Sequence, residues 1–302
     1  MQSGKVNTGK ANKRIFIFLM MLIPILNFII FWIGVNFSSI LLAFQGLKNG
    51  AEYWTLNNFK IIFDEFFVYT DSNMPLFFKN TMIFFCIGAF IITPISLLLS
   101  FFLYKRIMGY KFFRVMFFLP SILSAVVVSS LYKYILGASG PIVAIYKMMN
   151  GVDYAPAFLA ESEYALKCLI IYSLWTGIAG NFILYSGAMN RIPIEIIESG
   201  RLEGINSFTE LTKIVIPMIW PTLSTTLIFT VVGIFTASGN ILLLTDGVVS
   251  TYTLSYWIFD QVKRFQSYYV PSALGLVFTL IGFPIVLITR HFLNKVYADV
   301  EY

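Results

Sequence analysis

Ile15-Phe16-Ile17-Phe18-Leu19-Met20-Met21-Leu22-Ile23-Pro24-Ile25-Leu26-Asn27-Phe28-Ile29-Ile30 is the stretch from which the architecture of this chain follows. No charged residue interrupts it between Arg14 and Lys48. Crossing a bilayer takes roughly 17–25 predominantly apolar helical residues, and this tract is longer. In hydrocarbon every backbone group needs a partner within the segment or around a closed barrel. The tract lacks the alternation of a barrel strand, so it reads as a helix. Lys5, Lys10, Lys13 and Arg14 precede it in the manner of a signal peptide. The apolar run continues to about Ile40 with no small-residue cleavage site after a short core, so a retained first span is expected.

Five more uncharged tracts follow, between Lys79 and Lys105, Arg114 and Lys133, Lys167 and Arg191, Lys213 and Asp246, and Arg264 and Arg290. Each is long enough to span, which predicts six transmembrane helices in a single bundle. The composition agrees: 58% hydrophobic, 12% charged and a mean hydropathy of +0.79, against about 25% charged residues in a soluble domain. The 18% aromatic content suits contact with lipid and its interfaces. A net charge of +6 invites a nucleic-acid reading, but the basic residues flank apolar tracts instead of clustering on a polar domain. Membrane lipid is the expected partner, and nucleic acid is not.

The Lys/Arg distribution orients the bundle. With the N-terminus inside, the cytoplasmic side receives thirteen basic residues and the other side eight. Glu52, Asp64, Glu65, Asp71, Asp153, Glu161 and Glu163 fall on the outer side. Both termini are therefore expected in the cytoplasm. Cys86 and Cys168 read as reduced packing residues, and with His291 as the only histidine no structural metal site is expected.

Several functions lack their required groups. No G-x-x-x-x-G-K-[ST] phosphate loop occurs, so the chain does not hold ATP by that device. No tract has an interior Asp, Glu, Lys, Arg or His of the kind that proton-coupled carriers use. There is no G-x-S-x-G nucleophile, and the only histidine ends the last tract, so no catalytic residue is expected.

The loop between the fourth and fifth tracts reads Ile192-Pro193-Ile194-Glu195-Ile196-Ile197-Glu198-Ser199-Gly200-Arg201-Leu202-Glu203-Gly204-Ile205-Asn206 and continues to Ile216-Pro217. Pro193 suits the first turn of a helix, where a missing N–H costs nothing. Glu195 and Glu198 favour its positive end, and Gly204 suits a left-handed cap that stops it. Ser207 and Glu210 have the spacing of a capping box for the next helix. The expected product is a short helix lying across the cytoplasmic face. Ile194, Ile197 and Leu202 form its apolar side, and Ser199 and Gly200 allow close approach. An amphipathic helix resting on lipid would satisfy the same pattern.

These residues resemble the coupling-loop signature of binding-protein-dependent ABC importer permeases, roughly E-A-A-x-x-D-G-A followed by an apolar residue and Pro. Here Glu198, Ser199, Gly200, Arg201, Leu202, Glu203, Gly204 and Ile205 take those places, with Ile216 and Pro217 closing the pattern. Ser199 and Gly200 stand for the alanines and Glu203 for the aspartate. Leu56-Asn57-Asn58-Phe59, Asn80-Thr81, Phe113-Arg114…Phe118-Leu119-Pro120 and Leu244-Thr245-Asp246-Gly247 narrow the resemblance. They look like the maltose/glycerol-3-phosphate (carbohydrate) type, and its maltose-F-like inner-membrane subunit in particular.

The resemblance implies an all-α membrane protein, a type I ABC importer permease bundle with a cytoplasmic coupling helix. Its parts would be an N-terminal tail over 1–14, a permease domain over 15–293 with the coupling loop at 191–213, and a C-terminal tail over 294–302. It also implies a carbohydrate as cargo and a bacterial cytoplasmic membrane as location. The implied partners are a second homologous permease, two ATPase subunits holding ATP and magnesium, and an extracellular solute-binding protein; the chain itself would carry no cofactor.

A sugar path needs hydrogen-bonding groups and small residues inside an apolar bundle. The fourth tract supplies Ser173, Thr176, Gly177 and Gly180, the fifth Thr230 and Asn240, and the third Ser121. By resemblance, Ser121, Ser173, Thr176, Gly177, Gly180, Thr230 and Ala237 correspond to sugar contacts. Small and hydroxyl residues also pack helices against each other, and that reading stands beside the first. A secondary carrier, or an ABC permease for a non-sugar solute, are the alternatives.

Overall fold

The computed structural model describes residues 7–48, 50–236, 239–246 and 248–297. Among them, six stretches are helical and apolar enough to cross a membrane: Ile15–Ala43, Met74–Tyr104, Ala125–Asn150, Ser162–Met189, Ser207–Gly233 and Tyr269–Val296. The chain is a multi-pass membrane protein. One two-stranded antiparallel hairpin, Gln45–Lys48 with Ala51–Trp54, follows the first span. Asn58 ties it down, its Nδ2 donating to the carbonyls of Ala43 at 2.9 Å and Gln45 at 2.7 Å.

Two tracts fold differently from expectation. The tract from Arg114 to Lys133 is not one helix but two, Tyr110–Ile122 and Ala125–Leu136, parted by extended Leu123 and Ser124. Pro120 removes a backbone donor just before the break, and the Ser124 hydroxyl accepts from Val127 N to cap the second piece. Both pieces lean on the fourth span, and the second of them opens the third membrane-spanning stretch. Phe117 and Phe118 meet Phe182 on one side of the break. On the other, Ser129 and Tyr172 share a hydrogen bond, and Tyr132 donates to the Cys168 carbonyl at 2.9 Å. A turn over residues 137–140 separates this piece from Pro141–Asn150.

The fifth tract, expected to continue to Asp246, ends as a helix at Gly233. Ile234, Phe235 and Thr236 close it with three-residue turn bonds, and a separate short helix, Gly239–Leu244, carries Asn240. Ala237 lies outside the described residues. The widened, π-helical turns Gly88–Ile92 and Leu211–Val215 stand immediately ahead of Pro94 and Pro217. There the proline ring displaces the carbonyl four residues back. Gly88 O accepts from both Thr93 N and, at 3.0 Å, Thr93 Oγ1.

Two apolar clusters hold the bundle. One gathers Met74, Phe77, Tyr132, Leu169, Tyr172 and Tyr252 near the end where the second span starts. The other gathers Phe101, Tyr185, Met189, Ile197, Val215 and Ile219 near the opposite end. Outside the first cluster, Asn80 Nδ2 donates to Ser250 O at 2.8 Å and Tyr252 O at 2.9 Å, and Leu254 N donates to Thr81 Oγ1 at 3.1 Å. The Asn80-Thr81 pair thus pins the segment after the fifth span across the mouth of the second. Arg264 then pairs with Asp246 and, at 2.6 Å, with Asp260. Tyr256, bonded to Asp246 at 2.6 Å, has its phenol held above the ordinary range by burial first and by that carboxylate second.

Candidate functional site

The loop after the fourth span forms a helix, Ile194–Leu202, with Pro193 as its N-cap. Ile197 is fully buried and roots the helix in the cluster of Phe101, Tyr185, Met189 and Val215. Gly200 is buried as well, and a β carbon there would stand 2.7 Å from Ile205 Cδ1 and 2.9 Å from Ile214 Cδ1. Ile205 and Ile214 thus fill the room that a side chain at 200 would need.

The helix ends as the sequence predicts. Gly204 adopts φ +78°, Gly204 N donates to Arg201 O at 3.0 Å, and Ile205 N reaches back to Gly200 O at 3.3 Å. This is a Schellman motif with its apolar contact between residues 205 and 200. Glu195 in the first turn and Arg201 in the last complement the helix dipole.

The apolar side is narrower than expected. Ile197 and Gly200 face the bundle, but Ile194 is 53% exposed, Leu202 is 90% exposed and Ser199 also faces out. Leu202, two residues past Gly200, lies about 200° further round the helix and faces away, while Ile194, three residues before Ile197, shares its side but stays exposed in the first turn. Glu198, Arg201, Glu203 and Gly204 share the exposed surface, with Phe208 beside it at 74% exposure. Pro217 is half-buried where the fifth span straightens after its widened turn.

The expected capping box is also corrected. Asn206, not Ser207, is the N-cap of the next helix, its Oδ1 accepting from Thr209 N at 2.8 Å. Glu210 has a different role. It is buried, and its Oε2 accepts from Lys105 Nζ at 2.9 Å, with the Ser207 hydroxyl accepting from the same ammonium at 2.9 Å. Neither Lys105 nor Glu210 stood out in the sequence, since one reads as an orienting charge and the other as a cap.

Between the two apolar clusters the fourth span is polar and small. Asn240 Nδ2 donates to Ser173 Oγ at 3.4 Å, joining the short helix after the fifth span to the fourth. Thr176 and Thr230 donate to carbonyls of their own helices, at Tyr172 and Thr226, which leaves their lone pairs to accept. Thr230 lines a cavity of about 160 Å3 with Thr81, Phe84, Gly233 and Thr253. Gly177 packs on Ile92, whereas Gly180 faces open space. Ser121 stands apart, exposed near the break that precedes the third span, with its hydroxyl on Phe118 O. Among the described residues no cluster of metal ligands occurs.

No family model matches the chain. Its curated relatives are transport-system permease proteins, several of them named for sugars. The chain is 24% identical to the multiple sugar-binding transport system permease protein MsmF of Streptococcus mutans, over 87% of this chain and 90% of that one. It is 26% identical to the lactose transport system permease protein LacF of Rhizobium radiobacter, over 82% and 79%. It is 24% identical to the sn-glycerol-3-phosphate transport system permease protein UgpA of Agrobacterium fabrum, over 64% and 67%. Among solved structures, a chain of a bacterial ABC transporter involved in the import of the acidic polysaccharide alginate superposes with a TM-score of 0.78 at 21% identity, over 95% of this chain and 98% of that one. A chain of a bacterial alginate ABC transporter in complex with alginate pentasaccharide-bound periplasmic protein gives 0.80 at 22%, over 97% and 99%. The chain has the fold of an ABC importer membrane subunit.

Proposed function

We infer that this chain is the permease subunit of a binding-protein-dependent ABC importer that moves a carbohydrate across the bacterial cytoplasmic membrane by alternating access. The observation that carries the reading is the Ile194–Leu202 helix, rooted through Ile197 and presenting Leu202 at 90% exposure beside Glu198 and Arg201. An apolar side chain so exposed among charges, away from the spans, suits a cleft on a partner. In this reading two ATPase subunits receive that surface, hold ATP and magnesium, and push the helix when they close. A second homologous permease completes the path, and a solute-binding protein delivers cargo from outside. Both termini lie in the cytoplasm, as the thirteen-to-eight Lys/Arg bias supports.

The stretch between the two clusters supports carbohydrate as cargo. Ser173, Thr176, Thr230 and Asn240 offer hydroxyls and an amide without a charge, which suits polyhydroxyl recognition. The names of the relatives point the same way. The test is to express the chain with its neighbouring genes and compare wild type with Leu202→Asp, which alters a side chain that supports no packing. Leu202→Asp should insert normally, lose the co-purifying ATPase at least tenfold and stop ATP-dependent oligosaccharide uptake. Wild-type chain that transports without any ATPase would identify a secondary carrier instead.

A further inference from the structure

We propose that Glu210 is a positioning residue, a buried charged joint that fastens the exposed loop helix to the second span as well as to the fifth. The inference rests on the importer reading above and deepens it. A push on the loop helix has an obvious route into the fifth span, because Asn206 ends the loop and Ser207 begins that span. The second span has no covalent link to the loop. Beside the apolar cluster that Ile197 shares with Phe101, its polar connection is Lys105, which follows Tyr104 and donates to Glu210 at 2.9 Å across 105 residues of sequence. Lys105 also donates to Ser207 Oγ at 2.9 Å, and its ammonium stands 5.4 Å from the centre of the Phe101 ring.

Glu210 is only 1% exposed, so its charge is held by its partners and not by water. One oxygen has Lys105. The other, Oε1, is buried with no hydrogen bond. Arg201 in the last turn of the loop helix has its NH2 3.9 Å from this oxygen, too far for a hydrogen bond. The joint is half-made in this conformation. A shift of about one ångström would bring the guanidinium to the 2.7–2.9 Å of a charge-assisted bond. A displacement of the loop helix toward the bundle would supply that shift. Arg201 would then lock onto a carboxylate already fixed to the second span, so that both spans move with the helix.

Lys105 is outside the surface assigned to the ATPase, which makes Lys105→Gln the informative variant, with Arg201→Gln and Arg201→Lys as its check. The experiment uses the complete complex in proteoliposomes and measures solute moved per ATP hydrolysed for wild type, Arg201→Gln, Arg201→Lys and Lys105→Gln. Lys105→Gln, which leaves the surface assigned to the ATPase untouched, should retain the ATPase subunits at wild-type stoichiometry and lower the transport ratio at least fivefold. Arg201→Gln, measured in complexes that retain the ATPase, should show the same loss, and Arg201→Lys, which keeps the cation, should stay within about twofold of wild type. An unchanged ratio for Lys105→Gln and Arg201→Gln in assembled complexes overturns the joint and leaves the importer reading intact. A wild-type chain that binds no ATPase overturns both.

Discussion

Gly177 of the fourth span lies so close to Ile92 of the second that a β carbon would stand 2.8 Å from Ile92 Cδ1. Three residues on, Gly180 has nothing within 4 Å of the same position. Two glycines with equal standing in the sequence therefore have different roles, one closing a helix contact and the other leaving space. Gly177→Leu should overpack the contact and cost about 1–3 kcal/mol, read as a lower unfolding temperature in detergent. Gly177→Ala should be milder, because the obstructing atom is the tip of a side chain that can rotate. Gly180→Leu should leave the unfolding temperature near wild type and slow uptake. Equal destabilisation by both Leu variants would show that Gly180 packs too.

Gly204 is the hinge of the loop helix for a backbone reason alone. Its φ is +78° and an added β carbon would meet nothing within 4 Å. Valine there should cost about 1–2 kcal/mol through the left-handed conformation, while asparagine, which tolerates that region, should cost a fraction of it. Co-purification of the ATPase should fall in the order Gly, Asn, Val. Similar retention with all three residues would separate the Schellman turn from partner binding.

The spans, the loop helix and its stop at Gly204 are legible because each rests on a local rule: apolar length, proline entry, glycine exit. What the sequence hid depends on pairs far apart. Glu210 has the spacing of a capping residue from Ser207, and only the fold brings Lys105, from another span, to 2.9 Å. Leu202 has the right type for an inward face, but the root at Ile197 fixes the rotation of the helix and turns it out. The break at Leu123 needs Pro120 and the Ser124 cap to act together. At the candidate path, residue types were legible and neighbours were not. Gly177 reads like Gly180 until Ile92 is placed, and Asn240 reads as part of the fifth span until the helix stops at Gly233.

Orientation is tested by thiol labelling in a background lacking Cys86 and Cys168, the two cysteines of the chain. Asp153 and Glu198 are both exposed, on loops that the six-span topology assigns to opposite sides. In intact cells an impermeant reagent should label Asp153→Cys and not Glu198→Cys, and permeabilising the cells should make both reactive. Labelling of Glu198→Cys in intact cells would reverse the orientation and remove the ATPase from reach of the loop helix.

Thr230 separates a path hydroxyl from a packing residue. Its Oγ1 donates to Thr226 O at 2.9 Å, and its methyl carbon stands 3.0 Å from where a β carbon on Gly88 would lie. The side chain borders the cavity shared with Thr81, Gly233 and Thr253. Thr230→Val keeps nearly the same shape and removes a hydroxyl bonded to its own helix, a net change of about 0.5–1.5 kcal/mol at most. If the hydroxyl only packs, uptake by Thr230→Val should match wild type. If its free lone pairs accept from a passing sugar, the half-saturating solute concentration should rise severalfold while the assembled complex is recovered in full. Thr230→Leu adds bulk toward the cavity and should cut the maximal rate further. Wild-type kinetics in both variants would place the solute elsewhere in the bundle and return Thr230 to the role of a helix contact with Gly88.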